Sequence, residues 1–403
     1  MKSTIIIVSH VVNDAVTHGF VPTAKAMGLN VILITDHKLS HLKLSNDDER
    51  FSPDAILECD VFNPLELIET ITEQNLKPSA IFSNSDHLQT STAICAQFFG
   101  LPAKDWTVTL QAKNKHLTRQ VLSDKSLPNV QSELIYRDTD SKLNFTFPVV
   151  AKPKEGVASI DVQRCNSKTE LENYCERFWQ KHPTSPILVE DFLQGPLITV
   201  ETLGDGENLA VLGGFDVELS EPPFFIETAA TWNGESSTQF KDECVRQLQA
   251  FGVGFGVCHS EFIITKSGPV LVEINYRSIG DGREFLLDNL SDGKWFSTIL
   301  SLHLGSKLDP SFQIAGSASV HYIVAKQSGV IEGTSTSFVH QDGDIVTQQQ
   351  VLKHPGDNFL QSFSNKDYLA RISIASPSGQ SLDAALQRTI SRFNLTSNSE
   401  VNA

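Results

Sequence analysis

Basic side chains are under-represented: 32 Lys and Arg stand against 48 Asp and Glu, a formal net charge of -16. A surface of that sign repels phosphate backbones and anionic headgroups, and no Lys/Arg stripe reverses it locally. No nucleic acid or membrane partner is therefore expected. Long apolar runs are missing too. The opening aliphatic run, Ile5 to Val8, is too short for a signal h-region, and nothing approaches the ~20 residues of a membrane span. A cytoplasmic protein is expected. Cys59, Cys95, Cys165, Cys175, Cys244 and Cys258 form no CxxC pair and have no His-rich neighbour. That argues against a disulfide framework or a zinc centre and for reduced, mostly core thiols. Repeats and low-complexity tracts are absent. After the first aliphatic run comes Ser9-His10-Val11-Val12-Asn13 instead of GxGxxG, which disfavours a dinucleotide site.

What is present is apolar residue enough, 40% of 403, to fill two to four packed units. Residues 4–8, 31–35, 55–57 and 80–83 read as short buried strands, with helices over 15–27, 64–74 and 88–99. This alternation predicts a doubly wound, Rossmann-like α/β unit. Strand candidates then crowd together at 132–137, 147–152, 187–190, 197–203, 209–217, 257–264 and 270–276, with a helix over 241–251, which predicts an α+β middle. Residues 314–377 are again strand-rich, and 381–393 read as a last helix before a polar tail over 394–403.

The segment His259-Ser260-Glu261, followed by Lys266-Ser267-Gly268-Pro269 and by Glu273-Ile274-Asn275-Tyr276-Arg277, reads as a β-hairpin. Glu273 and Asn275 share a strand face, and a turn centred on Ser267 sets Glu261 opposite Glu273 on it. Facing glutamates repel unless something positive lies between them. An all-oxygen donor set favours magnesium or manganese over zinc and points to a polyphosphate. By itself the pattern equally fits a solvent-facing hairpin. Upstream, an apolar strand delivers Lys152 ahead of Glu155-Gly156-Val157-Ala158-Ser159, a small-residue loop able to lay N–H groups along phosphates. Ile187-Leu188-Val189-Glu190-Asp191-Phe192-Leu193 is a strand end able to offer backbone groups and a carboxylate to a nucleoside. Both also fit ordinary strand ends. Arg283 could clamp a carboxylate or merely decorate a helix start. Residues 155–159 and 221–232 are lid candidates.

In this order, and with Lys115 in Asn114-Lys115-His116-Leu117-Thr118-Arg119 ahead of them, these segments resemble the ATP-grasp superfamily over about residues 1–300, including residues 81–102. The resemblance implies a Rossmann-like pre-ATP-grasp domain over 1–106, a lid lobe over 107–189 and a large lobe with the metal site over 190–305; beyond it, the strand-rich pattern predicts a small β-rich C-terminal domain over 306–403. It implies that Lys115 and Lys152 bind ATP phosphates and that Glu155, Gly156 and Ser159 lie in a loop folding over them. Glu190, Asp191, Phe192 and Leu193 would hold the adenine. Glu261, Glu273 and Asn275 would bind Mg2+ or Mn2+, and Arg277 would stabilise the transferred phosphoryl group. Leu197 stands where related ligases place a ribose glutamate. The pair His259-x-Glu261 and Glu273-x-Asn275-x-Arg277 looks like ligases that join amino acids to each other or to small carboxylic acids, including those of peptide-like natural products and siderophores. Such enzymes activate a small-molecule carboxylate as an acyl phosphate, capture it with an amine and release ADP and phosphate; many are homodimers. A bicarbonate-using carboxylase, a carboxylate-thiol ligase and a non-catalytic nucleotide-binding regulator are the alternatives.

Overall fold

The computed structural model describes residues 2–45, 49–137 and 145–398; the end of the expected polar tail, 399–403, lies outside them. Strands β1 (Thr4–Val8), β2 (Asn30–Thr35), β3 (Ala55–Glu58) and β4 (Pro78–Phe82) form a parallel sheet in the order β3-β2-β1-β4. Ile5 to Val8 are fully buried in the interior strand β1, which is why it reads as an unbroken aliphatic run. The helix expected over 15–27 is a π-helical stretch, Ala15–Phe20, running into α1 (Val21–Ala26). Helices α2 (Lys38–Ser45), α3 (Pro64–Glu73) and α4 (Gln89–Phe98) complete this unit, and α5 (Trp106–Lys113) and α6 (Lys115–Asp124) lead out of it.

A second, antiparallel sheet has the order β5-β8-β6-β7, from β5 (Ser132–Ile135), β6 (Val149–Pro153), β7 (Gln163–Cys165) and β8 (Ile187–Asp191). Helix α7 (Lys168–Lys181) packs on it through Tyr174 and Phe178.

The third sheet is the largest. Its strands are β9 (Leu197–Asp205), β10 (Leu209–Gly213), β11 (Phe215–Leu219), β12 (Glu227–Trp232), β13 (Phe255–Thr265) and β14 (Gly268–Asn275), with α8 (Glu235–Phe251) packed against them. After α9 (Arg283–Leu290) and α10 (Trp295–His303), β15 (Ser317–Val324) pairs with β12. The C-terminal strands continue this sheet, which reaches ten strands through β17 (Phe338–Asp342), β18 (Ile345–Val351) and β20 (Tyr368–Ser376). A small sheet joins β16 (Gly329–Glu332), β19 (Asn358–Phe359) and β21 (Thr396–Asn398), and α11 (Asp383–Ile390) is the last helix. Residues 227–232, offered above as part of a lid, are corrected here: they form β12, hydrogen-bonded on both edges and too constrained to open.

One core cluster ties the parallel sheet to the large one, joining Ile5, Phe20 and Phe82 to Trp295 and Ile299 of α10 and to Phe215 and Val320 of the large sheet. Among the described residues no helix is long and apolar enough to cross a membrane. All six cysteines are unpaired, five of them buried.

Candidate active site

The β13–β14 register sets Glu261 opposite Glu273 and His259 opposite Asn275. Positive charge does meet the facing carboxylates, in the form of side chains. Lys115 Nζ donates to Glu273 Oε1 at 2.7 Å. His259 Nε2 lies 3.6 Å from Glu261 Oε1, while its Nδ1 lies 2.7 Å from Glu201 Oε1. Burial alone would discharge His259, but Glu201 and Glu261 outweigh it and lift the imidazole to about 9. Burial likewise opposes ionisation of Glu261; His259, then Arg283 and Lys115, overcome it and hold the carboxyl below its usual range. The Asn275 side-chain oxygen accepts from Arg277 Nη2 at 3.4 Å.

Asn114 starts α6 by accepting from the N–H groups of His116 and Leu117, which aims Lys115 and, one turn on, Arg119 at the same side. Arg119 Nε donates to Glu190 Oε1 at 2.6 Å, and Lys152 Nζ stands 2.5 Å from Glu190 Oε2. All three side chains are buried. Burial pushes the Glu190 carboxyl up, yet Arg119 and Lys152 together pull it down to about 2. The Lys152 ammonium falls below its usual value, because burial and the neighbouring Arg119 and Lys115 outweigh Glu190. At the adjoining hinge, Asp191 N–H and Phe192 N–H are committed to the Gln131 and Pro148 carbonyls.

Lys115, Arg119, Lys152, Glu190, His259, Glu261, Glu273 and Asn275 line one cavity of about 330 Å³, together with Gly156, Ser159, Asp191, Phe192, Leu193, Arg277 and Arg283. Leu197, Val150, Ile263 and Val272 give it apolar walls. Glu155 lies outside this wall: its side chain is half exposed and pairs with Lys154 at 3.3 Å. The donor set suits a hard divalent cation, since two carboxylates and an amide oxygen share one hairpin and one cavity wall.

Sequence reasoning assigned no role to several wall residues. Arg119 was legible in principle, four positions after Lys115 on a helix. Glu227 opens β12 in a stretch read as lid. Asn365 and Lys366 come from the C-terminal unit and carried no local signal. Arg283 is 3% exposed at the start of α9, with its Nη1 2.9 Å from Glu227 Oε2. This is an ion pair without hydrogen-bond geometry, and among the described residues Arg283 Nε and Nη1 and Glu227 Oε2 have no hydrogen-bond partner. Burial lifts the Glu227 carboxyl despite Arg283. A separate group, His10, Asp36 and His37, brings three ligating atoms within 4.8 Å at the ends of β1 and β2, outside this cavity.

Residues 145–284 match the family profile described as the ATP-grasp domain. The chain carries an ATP-grasp domain. Its fold is shared over the whole length with the L-amino acid ligase from Bacillus licheniformis, at a TM-score of 0.76 and 18% identity over 99% of both chains. It is also shared with phosphoribosylglycinamide synthetase from Anaerococcus prevotii, at 0.70 and 14% identity over 99% of this chain and 100% of that one. At these identities the likeness speaks for the fold. An uncharacterised protein of Sinorhizobium fredii is 26% identical over 74% of this chain, and the match spans only 63% of that protein's length. The ATP-grasp match supplies β6 to β14 and so all of the hairpin, whereas Lys115 and the 362–367 turn reach the cavity from outside it.

Proposed function

We propose that the protein is an ATP-dependent carboxylate–amine ligase, forming an amide bond between amino acids or between an amino acid and a small carboxylic acid, with ADP and phosphate released. The observation that carries this reading is one cavity, walled largely by the ATP-grasp domain, that collects Lys115, Lys152, Glu261, Glu273, Asn275 and Arg277. Lys115 and Lys152 bind the nucleotide's phosphates. Glu261, Glu273 and Asn275 are the residues to hold magnesium or manganese, which when bound supplies Lewis acidity to phosphate oxygens. Glu190 is engaged by two cations, so it shapes the wall under the nucleoside while the hinge backbone and the apolar walls meet the base. The substrate carboxylate attacks the γ-phosphorus and ADP leaves; the amine then attacks the acyl phosphate and phosphate leaves. Arg277 offers fixed positive charge to the phosphoryl group in transit. Arg283 and Glu227, with atoms still free to bond, face the polar end of the substrate.

The test is ADP release with amino acids and hydroxy acids, singly and in pairs, with a bicarbonate arm and mass detection of product. A pair that raises ADP release and yields the condensed product supports the ligase. Turnover that only bicarbonate supports sinks it in favour of a carboxylase. Glu273→Ala is expected to lower magnesium-dependent ADP formation by about a thousandfold with the thermal midpoint little changed; full turnover in that variant would remove the metal assignment.

A further inference from the structure

The turn formed by residues 362–367 belongs to the C-terminal unit, yet it closes the cavity wall. Asn365, 8% exposed, makes three bonds there. Its backbone N–H donates to the Ala158 carbonyl in the 155–159 loop at 3.0 Å. Its side-chain Oδ1 accepts the Glu227 N–H at 3.0 Å, and its Nδ2 donates to Glu227 Oε1 at 3.3 Å. One residue therefore holds both the loop over the cavity and the carboxylate beside Arg283.

The turn is stiff for this purpose. The Asp367 carboxylate, fully buried, accepts from Ser362 N–H, Ser362 Oγ and Phe363 N–H at 2.6–2.9 Å, and Ser364 Oγ accepts from Lys366 N–H. Phe363 takes a left-handed backbone, φ 55, and stacks on Phe224 with centroids 4.5 Å apart. Phe224 lies in the connection leading into Glu227. Across the contact, Ala158, Ser159 and Asp161 are left-handed as well, with φ of 55 to 56. For L residues this conformation is strained, so the loop keeps this shape only while partners hold it.

We propose that Asn365 is a positioning residue that couples closure of the 155–159 loop to the setting of Glu227, so that the C-terminal unit completes the active site. The proposal rests on the ligase reading above. Closure excludes water from the reacting carboxylate, and Asn365 makes it depend on the same residue that orients Glu227.

Hydrogen exchange of segments 154–162 and 224–230 tests this, with and without magnesium and a non-hydrolysable ATP analogue, alongside calorimetric nucleotide affinity. In Asn365→Ala the nucleotide affinity should stay within about threefold, while exchange in both segments rises at least tenfold over wild type in the nucleotide-bound state. Asn365→Asp keeps the size and the acceptor but turns the donor into an oxygen facing Glu227; it should behave like the alanine variant and covers the case in which that variant does not fold. Wild-type protection in either variant overturns the coupling, as does a rise confined to one segment. If wild type binds no nucleotide, the ligase reading fails instead. The coupling is then judged in the nucleotide-free proteins, where faster exchange of both segments in the variants supports it and unchanged exchange overturns it.

Discussion

Glu190 lines the cavity and is at the same time held in place by the protein. At the end of an apolar strand it resembles a nucleoside contact; folded, it is the anion between Arg119 and Lys152. A buried carboxylate with two buried cations is stable only as a set, because removing one partner leaves charge without compensation. Arg119→Met should therefore cost roughly 3 to 5 kcal/mol, and the double variant with Glu190→Gln should cost clearly less than the two single changes added together. Urea unfolding of the four proteins measures this; strict additivity would mean that the pair is not coupled. The hairpin carboxylates were legible from the period of two and the short turn, although the turn pairs Thr265 with Gly268 and a one-residue register shift between Glu261 and Phe262 is what brings Glu261 opposite Glu273. The salt-bridge triad was not, since its members come from α6, β6 and β8, and no local rule relates their registers.

At the level of elements, the start of α9 decides where Arg283 points. Gly282 has φ +79, and a Cβ there would fall 2.0 Å from the Arg371 guanidinium carbon. Arg371 in turn donates to Gln350, so the helix start is wedged against the C-terminal strands. Gly282→Ala combines left-handed strain with overpacking, together roughly 2 to 4 kcal/mol, and should shift Arg283 away from Glu227. Gly293, φ +72 with nothing within 4 Å, gives the control: Gly293→Ala pays the strain alone, about 1–2 kcal/mol. Thermal midpoints and ADP turnover of both variants check this. Equal losses would mean that contact with Arg371 does not matter. Most strands of the middle region were readable to within a few residues because their apolar runs end at Gly, Pro or charge, but 209–217 is two strands, β10 and β11, and the short β7 went unread. Helices α7 and α10 went unread, and of α9 only its start at Arg283 was weighed: α7 is mostly polar, and α10 is apolar enough to pass for buried strand. Residues 227–232 were misread for a related reason, since the sequence before them is rich in Pro and aromatics and the β12 partners lie far along the chain.

The molecule as a whole is joined by contacts of long sequence separation, which is why the pairing of β12 with β15, and with it the continuity of the large sheet, could not be foreseen. Lys104 is one such joint. It is 4% exposed, donates to Gln89 Oε1 at 2.7 Å and to the Tyr276 carbonyl, and lies 4.5 Å from the Tyr276 ring centroid. It thus links the N-terminal unit to the residue following Asn275. Burial lowers its ammonium to about 7. In the unfolded chain the same group keeps its proton up to about 10.4. Between these two values the unfolded state binds more protons than the folded one, so stability rises with pH across that window, by up to about 1.4 kcal/mol per pH unit from this group. Below pH 7 both states are protonated and its contribution to the slope vanishes. Lys104→Met removes the titration while filling much the same volume, and it leaves two acceptors without a donor. Its stability should therefore lie below or near wild type at pH 7 and fall progressively behind by pH 9, the gap widening by on the order of 2 kcal/mol. Urea midpoints at pH 7, 8 and 9 measure the gap. A constant offset between the two proteins would show that Lys104 stays protonated in the fold, and the ammonium would then have to be counted as a buried cation bonded to Gln89 and Tyr276.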